Sequence, residues 1–255
     1  MIVLFLGDVV GQPGCDYVRE KLPLLKKRYG VHVTIANGEN SAEGNGMTPH
    51  SLRHLQDSGV DVITSGNHAL RRREAYEALE RREGVLRPAN FHPTAPGTGV
   101  YLYDDPRNRL LVVNLQGTAY LEAHSNPFDC ADELLAAAQT PCILVDFHAE
   151  ATAEKVCMGY HLDGKVSAVI GTHTHVPTAD ADILPGGTGY ITDVGMCGGL
   201  RSALGVKAGA ALAKLRTGLP ARFETDPDDV RICAAVLEID NSSGKCMGIE
   251  GVVRF

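Results

Sequence analysis

The chain has no apolar run approaching the roughly 18 residues that a membrane helix needs, which removes a helical membrane protein from consideration. It has no basic excess either: 24 Lys and Arg stand against 31 Asp and Glu, a net charge of -7. Tracking a nucleic-acid backbone needs a basic surface, so no nucleic-acid polymer is expected as a partner. The seven cysteines, Cys15, Cys130, Cys142, Cys157, Cys197, Cys233 and Cys246, are scattered and never spaced Cys-x-x-Cys. That excludes a disulfide framework and a zinc ribbon and points to a reducing cytoplasm. Met1–Leu6 is too short for a signal sequence and lacks its basic flank. No repeat, low-complexity tract or linker interrupts the sequence, so residues 1–255 are read as one domain.

What is present is an alternation of short apolar runs and helical patterns. Strands are predicted at Ile2–Gly7, Val31–Ala36, Val60–Thr64, Cys142–Phe147 and Val166–Ile170. Helices are predicted at Tyr17–Arg28, from the Thr48-Pro49 cap to Ser58, at Arg71–Glu83, Asp132–Ala138 and Ala208–Leu215. Val100–Tyr103 and Arg109–Leu115 read as an antiparallel pair, Gly189–Thr192 as a further strand, and Arg231–Asp240 with Lys245–Phe255 as a closing hairpin. This order implies an α/β fold with a largely parallel sheet and late antiparallel additions.

The apolar runs end in polar clusters: Gly7-Asp8, Glu39-Asn40, Asn67-His68, His148, and Thr172-His173-Thr174-His175. Ligands gather beyond the carboxyl ends of parallel strands, so these residues are expected to share one rim. Residues two apart in extended backbone point to one side, which would bring His173 and His175 together. Carboxylate, amide and imidazole ligands without thiolate suit Mn, Fe, Mg or Zn, and six or more are too many for one tetrahedral ion. Two divalent ions sharing a carboxylate fit better. Only Asp8 and Glu39 would offset their charge, leaving a positive rim that binds phosphate and acidifies a bridging water. Singly, each residue has an ordinary alternative: Asp8 as a helix cap, Asn67-His68 as a turn, His148 as a core histidine. Gly7, Gly11 and Gly14 lack the Gly-x-Gly-x-x-Gly spacing of a dinucleotide loop.

These motifs resemble the calcineurin-like metallophosphoesterases and, more closely, the bacterial YmdB family of 2′,3′-cyclic-nucleotide 2′-phosphodiesterases. The matching stretches are Gly7–Gly11, Asn37–Asn40, Arg87–Asn90, Asp146–Thr152, Gly171–Val176, Ile183–Pro185 and Asp193–Met196. The resemblance implies a four-layer α/β/β/α sandwich and a dinuclear iron or manganese centre, with magnesium or zinc as alternatives. It assigns Asp8, Glu39, Asn40 and His175 to one ion, and Asn67, His148 and His173 to the other, with Glu39 bridging. A metal-bridging hydroxide would attack a small cyclic phosphodiester, and His68 would donate the proton. A phosphomonoesterase or phosphoprotein phosphatase on the same centre, or a regulatory protein with incidental hydrolysis, are the other readings; a homo-oligomer stays open.

Departures from the family pattern bear on substrate preference. Val10 stands where the wider superfamily usually has a histidine, and Asn40 would supply the missing ligand. Ala69-Leu70-Arg71 and Cys197–Arg201 also differ. Glu43, Thr118 and Asp193 are candidate pocket residues, and the Arg71–Arg73 run a candidate to reach a phosphate.

Overall fold

Burial along the first strand decides the architecture. In Ile2–Leu6, Val3 and Phe5 point one way and Leu4 and Leu6 the other, and all four are fully buried. A strand covered on both faces requires this. The computed structural model, which describes residues 1–122 and 124–253, shows what covers each face. Leu4 and Leu6 pack with Leu22 and Leu25 of the helix Gly11–Tyr29 and with Leu52 and Leu55 of the helix Pro49–Asp57. Val3 and Phe5 pack instead with Val112, Leu144 and Ile170 of a second sheet. The far side of that sheet, through Val113, Val145, Phe147 and Val169, meets Met158 and Leu162 of the helix Thr152–Leu162. The layers run helix, sheet, sheet, helix, the α/β/β/α sandwich predicted from the resemblance.

Among the described residues the first sheet has five strands, in the order Cys246–Val253, Cys233–Ile239, Ile2–Leu6, Val33–Asn37 and Val62–Thr64. The last three are mutually parallel. The second sheet has six, in the order Val100–Asp104, Arg109–Gln116, Ile143–His148, Ala168–Thr172, Gly189–Ile191 and Asp182–Ile183. Its four central strands are parallel. Both parallel sets end at the same edge of the sandwich, where a small third sheet pairs Asp8–Val9 with Met196–Gly199.

Several predicted elements differ in extent. The first helix begins at Gly11 rather than Tyr17, because its glycines let it lie against the Met196–Gly199 strand: a Cβ on Gly14 would sit 2.4 Å from the Cys197 carbonyl oxygen. The helix predicted over Arg71–Glu83 contracts to a 3-10 turn, Arg73–Ala75, and the short helix Tyr76–Glu80. Arg72 is held extended, its guanidinium bonded to the Asn45 carbonyl and the Glu43 carboxylate, and Arg82 at φ 55° closes the segment. The helix predicted from Asp132 starts at Pro127, behind an Asn126 cap. Thr48 caps the second helix as expected, with Ser51 completing a capping box. The closing hairpin is present, but Arg254 and Phe255 of its predicted span lie outside the described residues. Among the described residues no helix is long and apolar enough to cross a membrane.

Phe5 is fully buried in the layer between the sheets. Phe5→Ala is expected to lower stability by about 3–5 kcal/mol in urea unfolding; a loss below about 1 kcal/mol would contradict the role given to that layer.

Candidate metal centre

The two sheets deliver the predicted residues to their shared edge. Asp8, Glu39, Asn40, Asn67 and His68 come from the ends of the first sheet, and His148, His173 and His175 from the second. Glu39, His148 and His173 each offer a ligand atom within 4.8 Å of the others. His148 Nε2 lies 3.1 Å from Asn67 Oδ1, 3.3 Å from Glu39 Oε1 and 3.0 Å from His173 Nδ1. His175 Nε2 lies 3.5 Å from Asp8 Oδ1 and 3.2 Å from Asn40 Nδ2. Among the described residues Asp8 Oδ1 is buried and accepts no hydrogen bond, while Oδ2 accepts one from the His173 backbone N–H at 3.2 Å.

Outward contacts fix which ring nitrogen faces in. His175 Nδ1 donates to the Leu204 carbonyl at 3.0 Å, leaving Nε2 a lone pair. His173 Nε2 lies 2.9 Å from Glu150 Oε2 and donates to it, so Nδ1 points inward unprotonated. His148 Nδ1 lies 2.9 Å from Thr172 Oγ1, whose own hydrogen goes to Asp146 Oδ1 at 2.7 Å. Asn37 Nδ2 lies 3.3 Å from the same His148 nitrogen, but its nearer acceptor is Asp146 Oδ2 at 3.1 Å, a bond that also ties the two sheets together. Gly66 makes room for this ring: a Cβ there would lie 2.0 Å from His148 Cδ2. Once His148 gives up the proton on its inward nitrogen, lone pairs from three imidazoles, two carboxylates and Asn67 converge with few donors among them. A buried orphan oxygen and facing acceptors are what cations relieve, and the N/O donor set suits borderline or hard ions.

The electrostatics follow from the same crowding. Burial pushes the Asp8 carboxyl up, but the facing His175 and His148 outweigh it and hold it below the ordinary value. Glu39, likewise opposed by burial, is held well below by His148 and His68. Against the cost of burial, Glu39, Asp8 and Asp146 raise His148 to about 9, so without a cation a proton occupies its inward nitrogen. Burial and the charged His148 push His173 down to about 3. Asp146 is pushed up to about 7 by burial.

A family model described as YmdB-like protein matches residues 4–252. The chain belongs to the YmdB-like family. It is 45% identical over 99% of its length, and 97% of the relative's, to the 2′,3′-cyclic-nucleotide 2′-phosphodiesterase of Bacillus subtilis strain 168. Among solved structures, a hypothetical protein from Thermus thermophilus superimposes with a TM-score of 0.94 at 42% identity, covering 99% of this chain and 98% of that one. A protein described as a novel phosphatase from Mycoplasma pneumoniae gives 0.93 at 31% identity, covering 100% and 94%.

All eight residues singled out in this YmdB-like sequence meet at one place, but not always by the route predicted. The backbone at His173 and His175 is not extended: φ is 100° and 65°. Positive φ at two bulky residues is strained, and it persists because the turn is over-determined from below. Thr174, between them, is gripped through its N–H and hydroxyl by Asp193 Oδ2, which is itself paired with the buried Lys155 ammonium at 2.7 Å. Asp193 thus supports the turn rather than lining a pocket. Thr118 bonds Glu154 and touches none of the cluster. Val10 packs where Gly205 leaves room, and Asn40 aims its amide nitrogen at His175 and Glu39 and its oxygen at His68. Sequence reading assigned no role to Asn37, Asp146, Glu150, Lys155 or Thr172. Asp146 and His148, two apart on one strand, share a face and carried the only local signal.

Two outcomes are expected. Thr172→Val removes the acceptor on His148 Nδ1 at nearly constant volume and should weaken metal affinity on the order of 10–100-fold in chelator competition; unchanged affinity would contradict the orienting role. A cation must displace the His148 proton, held up to about 9, so affinity should climb as pH rises towards about 9. Calorimetry in buffers of different ionisation enthalpy should detect proton release on binding at pH 7–8, and none would contradict the assignment.

Proposed function

We propose that this chain hydrolyses small cyclic phosphodiesters, 2′,3′-cyclic nucleotides foremost, to nucleoside 3′-phosphates. The observation that carries the reading is the place of His68, between the converging acceptors and an open cavity. Its Nδ1 bonds Asn40 Oδ1 at 2.8 Å and lies 3.2 Å from Glu39 Oε1, while its side chain stays 25% exposed and lines the cavity. With Nδ1 occupied, Nε2 is the ring atom left to hand a proton to a leaving oxygen. The 45% identical relative from Bacillus subtilis, whose name states this reaction, supports the same reading.

Asp8, Glu39, Asn40 and His175 would hold one divalent ion, and Glu39, Asn67, His148 and His173 the other, iron or manganese before magnesium or zinc. Asn40 would serve with its amide rotated so that the oxygen turns inward and its Nδ2 donates to His68 Nδ1, which keeps that nitrogen occupied and the proton on Nε2. When bound, the ions polarise the phosphoryl oxygens and lower the pKa of water. The chain's own part is positional. Glu39 Oε2 accepts the His68 backbone N–H at 3.0 Å and so holds the proton donor against the cluster. A water oxygen bonds to phosphorus as the bond to the ribose 2′-oxygen breaks, His68 Nε2 protonates that leaving oxygen, and phosphate remains on the 3′-oxygen. The substrate is a small phosphodiester rather than a polymer, and the unpaired cysteines suit a reducing cytoplasm.

A phosphomonoesterase is the second reading, favoured by the Mycoplasma pneumoniae relative described as a phosphatase. Turnover of cyclic, linear and monoester substrates on one sample separates the two.

His68→Ala is expected to keep its metal content and lose roughly 10²–10⁴-fold in turnover; full activity in a metal-replete variant would remove the proton-donor role. Glu39→Gln should lose metal and activity together, and an unchanged metal content would rule out bridging.

A further inference from the structure

A cavity of about 780 Å³ opens beside the metal centre, with His68 on its wall. Its other side is built by a segment far along the chain, including Arg222, Phe223, Glu224 and Thr225, and it also takes in Glu43 and Arg72. The size lies within the range of small-molecule sites. The charges lining it are unequal in availability. Glu43 is paired with Arg72 at 3.0 Å, and Glu224 with Lys207 at 2.9 Å. Arg222, on the same wall, adds a positive charge that acts on the neighbouring Glu224 carboxylate without a hydrogen bond or ion pair between them. Phe223 is 42% exposed, and Lys214 Nζ stands 5.1 Å from its centroid. An exposed ring, a guanidinium and a threonine hydroxyl together match an aromatic, hydroxyl-bearing ligand that carries negative charge.

Resting on the cyclic-phosphodiesterase reading, we propose that this cavity is the nucleoside subsite, with the base of the substrate stacked against Phe223. His68 belongs to both the metal centre and the cavity. The group whose oxygen it protonates must therefore remain attached to something that extends into the cavity, and in a cyclic nucleotide that is the ribose and its base. Stacking on an aromatic side chain tolerates any base, so Phe223 gives preference for nucleosides over baseless substrates and little preference among bases.

The test compares 2′,3′-cyclic AMP with glycerol 1,2-cyclic phosphate, which has the strained ring and no base, on metal-loaded wild type and Phe223→Ala. Wild type should favour the nucleotide in kcat/KM, chiefly through KM. The variant should lose about tenfold or more of that ratio, and Phe223→Tyr should restore it. Binding of adenosine to chelator-treated protein, followed by NMR, should weaken in Phe223→Ala and not in Phe223→Tyr. A wild type without preference, or a variant that keeps it, would overturn the subsite while leaving the phosphodiesterase reading standing. Turnover of neither cyclic substrate, with other phosphoesters hydrolysed, would instead overturn the reading on which the subsite rests.

Discussion

An imidazole offers a lone pair to a cation only if its other nitrogen carries the proton, and the site depends on that constraint being met three times. His175 gives its proton to a backbone carbonyl, His173 to Glu150, and His148 to Thr172. Each partner comes from a different element, so the tautomers are set by the fold rather than by local sequence. Beneath them the buried Lys155–Asp193 pair holds Thr174 and with it two residues at positive φ. Burying both charges is costly, and the pair is retained here with every Asp193 oxygen engaged: Oδ2 by Lys155 and Thr174, Oδ1 by the Gly195 N–H at 2.8 Å.

Much of this was legible in the sequence, for physical reasons. Strands buried on both faces must be near-continuous apolar runs, so their positions and the α/β class were readable from Ile2–Leu6 or Cys142–Phe147. Strand ends in parallel sheets converge, so Asp8, Glu39 and His148 could be grouped although far apart in sequence. What could not be read was whatever depends on a distant partner. The Arg71–Glu83 pattern had helical spacing, but the bond from Arg72 to the loop at Glu43–Asn45 holds that segment extended at its start. His173 and His175 were expected to converge by strand alternation, and they converge instead by two left-handed residues, a geometry that Asp193 imposes from another strand end. Asp146 looked like one more strand residue until Asn37 of the other sheet stood beside it.

Negative net charge and an anionic substrate are compatible because the relevant field is local. Acceptors crowded inside the sandwich suit cations, and bound cations would create the positive site that the net charge does not supply. His68 stands between this centre and the cavity beyond it, so in the proposed reaction one residue would link the chemistry to the leaving group. Part of the cavity wall, Arg222–Thr225, comes from a segment whose sequence carried no motif, so the proposed subsite lies in a less readable part of the chain than the converging ligands.

The central claim is that the converging acceptors hold two ions with Glu39 between them. Anomalous diffraction from crystals grown with manganese or iron tests it most directly. Two peaks, one among Asp8, Asn40 and His175 and one among Asn67, His148 and His173, with the Glu39 carboxylate touching both, is the result this account requires. A single peak, or ions bound away from Glu39, would contradict it.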